Sequence, residues 1–143
     1  SANSIAFIVW HTARVEDRWF HLFCQGKPDL WINGRWYEKL GMNKNQPVAK
    51  YKPKELEYFP ILTMGELKSY FEAVRSETQK YLVGISPKDL KKAPGRSPFP
   101  ESSSASPFAE FTIQRMFRQL IQEEIQHLGQ VGILRGLQRG LDK

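Results

Sequence analysis

Cysteine is nearly absent from this sequence: Cys24 stands alone among 143 residues. One thiol cannot close an internal disulfide, which excludes a stapled extracellular scaffold, favours a reducing compartment and makes a cytoplasmic location the expectation. Long apolar runs are missing too. The longest, Ile5 to Trp10, falls far short of the roughly 20 residues of a membrane span, so no membrane partner is expected. No basic stretch leads into an apolar core and a small-residue cleavage site, so no leader is expected within the sequence. Strand-type alternation and internal repeats are lacking as well. The surplus of one charge is modest, 21 basic against 15 acidic side chains, or +6. Arg135, Arg139, Lys143, Lys91 and Lys92 contribute to it without any nucleic-acid motif, so nucleic acid is a disfavoured partner.

What is present describes one compact domain over residues 1–143: the chain is 41% hydrophobic and 25% charged, which excludes a disordered, collagen-like or rod-like chain. Ile5, Ile8, Thr12, Val15, Trp19 and Phe23 recur at three- and four-residue steps, predicting a helix over about 4–25, capped by Ser4 and stopped by Gly26. An aromatic-rich connection, 27–63, follows, with a short helical turn at Tyr37–Leu40 closed by Gly41. Its aromatics could roof a site, but docking onto the bundle as core is the plainer reading. Thr63-Met64-Gly65-Glu66 is a capping box opening a second helix over 64–83, and Ser86-Pro87 starts a short one. A Pro/Ser loop, 93–106, precedes the longest helix, 107–139, started by Ser106-Pro107 and marked by Ile113, Met116, Phe117, Leu120, His127, Val131 and Leu134. The fold class expected is all-α: three long helices and several short ones packed as a bundle.

Three histidines invite individual weighing. His21, with Asp17 and Arg18 a turn before it, reads as solvated. His11 lies between Ile8 and Val15 on the apolar stripe, and His127 stands in line with Leu120, Val131 and Leu134. Taken alone, each is most simply a buried imidazole bonded to a backbone carbonyl. Glu123 and Glu124 alter this, because offsets of four and three residues bring a carboxylate onto the same helix face as His127. A carboxylate bordering apolar surface needs a cation, from Arg, Lys or a metal. His11, Glu123 and His127 could therefore supply two nitrogens and an oxygen to a divalent ion, or be a helix-edge hydrogen bond beside a core histidine. A ferritin-like di-metal centre is excluded, since Glu124-x-x-His127 has no second copy. Cys24, flanked by Phe23, reads as a small hydrophobe and not as a nucleophile.

The segment Ser4-Ile-Ala-Phe-Ile-Val-Trp-His11-Thr-Ala-Arg-Val-Glu-Asp17 resembles the helix that carries the first metal histidine in DinB/YfiT-like proteins. The stretch from Phe108 to Arg118, His127-Leu-Gly-Gln130 and Leu134-Arg-Gly-Leu-Gln-Arg-Gly140 resemble their last helix, and Trp31 to Met42 a Trp–Gly–Trp-type connection. The resemblance implies a four-helix antiparallel bundle binding a divalent metal through three histidines. Carried onto this chain, the ligands fall on His11, His127 and, where the family has its middle histidine, Glu123. Two histidines and a carboxylate suit Zn, Ni, Fe or Mn. Gln126 and Gln130 are then outer partners of the ligands, Glu124 or Glu16 a proton acceptor, and Gly129 and Gly132 small residues for close helix contact. The implied function is a metal-dependent thiol S-transferase or hydrolase acting on a small molecule, with a low-molecular-weight thiol as partner and a homodimer as the assembly. The alternative is a non-catalytic binding or interaction module that has lost tight metal binding, for which the carboxylate at position 123 is the best support. The resemblance also implies a helix ahead of Ser4, so that the first of the usual four is expected to be missing from this chain.

Overall fold

The computed structural model describes residues 5–100 and 107–140, and among these every regular element is helical. They are α1 (Ile5–Arg18), prolonged by a π-helical stretch (Trp19–Gln25), α2 (Leu30–Asn33), α3 (Trp36–Lys39), α4 (Pro53–Glu57), α5 (Met64–Gly84), α6 (Pro87–Leu90) and α7 (Ile113–Arg139). The Ser4 and Ser106 cap assignments and part of the Pro/Ser loop lie outside the described residues. Thr63 and Glu66 exchange hydrogen bonds at the start of α5, as the capping box requires. The last helix begins at Ile113 with Thr112 as its cap, and residues 107–110 form a turn, so the expected start at Ser106-Pro107 is six residues early. Thr112 supplies the oxygen that the Arg115 amide needs, whereas Pro107 is followed by no helical apolar period until Phe111 and Ile113.

The first long helix ends on Gly26, whose φ of 64° is left-handed. Arg96 donates to the carbonyls of Phe23 and Cys24 there, satisfying acceptors that the helix end leaves open. The left-handed backbone favours glycine at 26, and a side chain there would also have to displace that guanidinium.

Three long helices make the bundle. Phe20 meets Tyr81 of α5 and Phe117 near the start of α7, while earlier along the same helix Asp17 meets Tyr70 and His11 meets His127 in the middle of α7. These pairs show that α7 runs antiparallel to both other helices, whereas α1 and α5 run in the same direction. The long connection 27–63 makes that possible by carrying the chain back to the start of the bundle. Burial on α1 extends all round: Trp10, Ala13, Arg14, Val15, Glu16 and Asp17 are covered alike, because α5, α7 and the connection enclose it. One apolar stripe was the expectation; a central helix is the outcome.

Asp17 anchors the connection. Its carboxylate accepts from the amides of Leu30 and Trp31 and from the Tyr70 hydroxyl, and pairs with Arg14 and with the His21 ring. Arg14 reaches Asp29 at 2.9 Å, and Asp29 caps α2 through the Ile32 amide. His21 is thus a buried partner of Asp17, not the solvated residue expected. Its polar neighbours are themselves interior, so their polarity signals a satisfied core cluster. Trp31, held over Arg14, donates from its indole to the Lys44 carbonyl at 2.9 Å. That bond sets the course of residues 44–50 across α1. Most aromatics of the connection follow the plainer expectation: Trp31 is buried, and Trp36, Tyr37, Tyr51 and Phe59 pack around it and Trp10, while Tyr58 is exposed.

Candidate metal centre

His11 comes from the middle of α1, and Glu123 and His127 come from α7 one turn apart. One nitrogen from each histidine and one Glu123 oxygen all lie within 4.8 Å of one another. The two imidazoles meet edge to face at 78° with 4.8 Å between centroids, and Glu123 Oε2 lies 3.5 Å from His127 Nε2. All three side chains are half-buried.

Each histidine is oriented from behind. His11 Nδ1 lies 2.6 Å from the Val48 carbonyl, an acceptor only, so that nitrogen carries the proton and Nε2 has a free lone pair. This backbone bond is the plain reading of His11 taken alone, and the same bond prepares the ring as a ligand. His127 Nδ1 lies 3.0 Å from Gln130 Oε1, which selects the same tautomer. His127 Nε2 is buried without a hydrogen-bond partner. An orphaned nitrogen between a carboxylate and a second imidazole is what a cation site presents. Burial and the nearby His127 hold the His11 pKa below its ordinary value, with the Val48 carbonyl and Glu123 opposing, and a neutral imidazole is the form that ligates. The donor set fits a first-row divalent ion. Gln130 acts as the outer partner expected, though as acceptor; Gln126 is exposed and makes no described bond to the group.

One turn further along, Glu16, Arg75 and Glu124 join the three long helices. Arg75 Nη2 is 2.9 Å from Glu16 and 2.6 Å from Glu124. Both Glu16 oxygens are fully buried and lack aligned hydrogen bonds, and burial raises its carboxyl to about 7 against the pull of Thr78 and Arg75. Sequence reasoning singled out both carboxylates but missed Arg75 and Val48. Arg75 had a signal, an arginine next to the buried position 74 on α5. Val48 had none, because a backbone carbonyl is the same at every position. Cys24 is buried, and desolvation pushes its thiol up to about 12, which fits a packing residue.

Residues 1–131 match the DinB superfamily. The chain belongs to that family. A similar solved structure, described as a crystal structure of the conserved protein of locus from Enterococcus faecalis, superposes with a TM-score of 0.71 at 22% identity. The match covers 95% of this chain and 75% of the other. At that identity the likeness is one of fold. No curated protein matches the chain. The DinB fold thus brings His11, Glu123 and His127 into a group that could hold a metal ion.

Proposed function

We propose that His11, Glu123 and His127 hold a divalent transition metal and that this DinB-superfamily chain is a metal-dependent enzyme, a thiol S-transferase or hydrolase acting on a small molecule. The observation carrying the reading is the buried, unpartnered His127 Nε2, facing Glu123 and close to the His11 ring. Bound there, an ion such as Zn, Ni, Fe or Mn would lower the pKa of a thiol or water and polarise an electrophile. The chain's own groups have separate tasks. The Val48 carbonyl and Gln130 keep Nδ1 protonated on both rings and Nε2 available. Glu16, with its carboxyl near 7, holds or accepts a proton at neutral pH beside the group, and Arg75 fixes Glu124 against it.

Metal analysis of protein purified without an affinity tag tests this. About one equivalent of a transition metal is expected, with loss of most of it in His11→Ala and His127→Ala. No metal in the unmutated protein, even after reconstitution, removes the basis of the enzyme reading. The second reading is an interaction module without chemistry. It is favoured by the Glu123–His127 distance of 3.5 Å, which an ordinary helix-surface pair also adopts. A folded protein that takes up no metal even after reconstitution would select it.

A further inference from the structure

Residues 44–50 face two ways. On one side the Val48 carbonyl meets His11; on the other, the same segment lines a cavity of about 1140 Å³ that includes none of the three candidate ligands. Its floor is the α1 face bearing Arg14, Arg18 and Leu22, and its walls include Trp31, Ile32 and Phe99. The lining is mostly apolar, as ligand sites are, and the volume slightly exceeds the roughly 300–1,000 Å³ usual for them.

Its charge has one sign. Arg14, Arg18, Lys27, Lys44 and Lys50 line the cavity, and Asp29 is the sole acidic residue among the described lining residues. Asp29 and Asp17 already neutralise Arg14 from within the core. The ammonium groups of Lys27, Lys44 and Lys50 have no acidic partner among the described residues, and all three side chains are exposed at the rim. Like charges around low-dielectric walls focus a positive potential into the opening. An inorganic anion would leave the apolar walls wet, and a neutral apolar molecule would leave the lysines unmatched.

We propose that this cavity binds an organic anion: an acidic head group met by Lys27, Lys44 and Lys50, and an aromatic or aliphatic body lying on Leu22, Ile32 and Phe99. This is a second site, independent of the metal reading, and it is tested on metal-free, EDTA-treated full chain so that either can fail alone. The probe is 8-anilino-1-naphthalenesulfonate, titrated by fluorescence beside N-phenyl-1-naphthylamine, which has the same rings and no charge. The sulfonate is expected to fill a single class of site and to bind more tightly than the neutral amine. The double variant Lys44→Glu/Lys50→Glu should weaken it about tenfold, a magnitude fitting two reversed exposed charges. Lys27→Glu, on a separate segment, should weaken it less, and Leu22→Trp should weaken both probes by filling the floor. Lys68→Glu on the distant surface of α5 should leave binding unchanged. Equal affinity for the two probes, or sulfonate binding unaltered in Lys44→Glu/Lys50→Glu, would overturn the proposal and assign the probe to exposed apolar surface such as Ile125 and Leu128 of α7.

Discussion

Two polar clusters lie along α1, and they differ in how completely they are satisfied. Around the buried Asp17 every carboxylate oxygen has partners: two amides, a phenol, a guanidinium and an imidazole. Around His127 the donor atoms converge half-exposed, and one nitrogen is buried with no partner. A closed network of opposite charges holds helices and connection together. An open set of converging lone pairs, its two imidazoles oriented from behind, invites a cation instead.

The sharpest way to break this comparison is Asp17→Asn. Removing the carboxylate bonded to His21, and one of the two that face Arg14, should lower unfolding free energy in urea by about 3–5 kcal/mol, the usual result of breaking a buried ion pair from one side. A loss comparable to that of a surface substitution would end the structural reading of the cluster. The open cluster should answer to ligand: an ion at about a hundred times its dissociation constant raises stability by about 2.7 kcal/mol. In His127→Ala that increment should vanish while metal-free stability changes by less than about 1 kcal/mol, as expected for a half-buried side chain without strong contacts. Equal stabilisation of both proteins would place the metal elsewhere.

Glu16 lies between the two. With a folded-state pKa of about 7 against an ordinary 4.5, its neutral form is favoured by folding. Its stabilising share is complete below 4.5 and is lost as pH rises through 7, by about 3 kcal/mol. Denaturation of metal-free Glu16→Gln across this window should lack that decline; an unchanged slope would assign it to another group. The smallest effect separates the histidines themselves. Desolvation alone would lower His21, but its bonds to Asp17 raise its pKa, whereas burial lowers His11. His21 therefore stabilises below pH 6.5 and less as pH rises through its pKa, while His11 stabilises above 6.5 and less as pH falls through its own. Imidazole resonances of metal-free protein should titrate in that order, and the reverse order would erase the distinction.

The same contrast explains what could be read in advance. The Thr63 box, Gly26 and the Glu123–His127 spacing are local signals that depend on neighbours in the chain, and they reappear as built. His21 and the start of α7 were misread because burial was inferred from adjacent polarity and from proline. In the folded chain, Asp17 is drawn inside by amides of Leu30 and Trp31 that arrive from beyond the turn at Gly26. Glu16 was named as a proton acceptor, but its burial depends on α5 and α7 closing over α1.

Helical periodicity, caps and the residue types of the candidate centre are properties of the sequence alone, because backbone geometry converts spacing into a face without outside help. Tertiary structure decided the rest. It set α1 and α5 in the same direction, enclosed Asp17, and laid residues 44–50 so that a carbonyl meets His11 on one side and lysines line a cavity on the other. Those outcomes depend on which surfaces exclude water from one another, and that is settled only when distant segments meet.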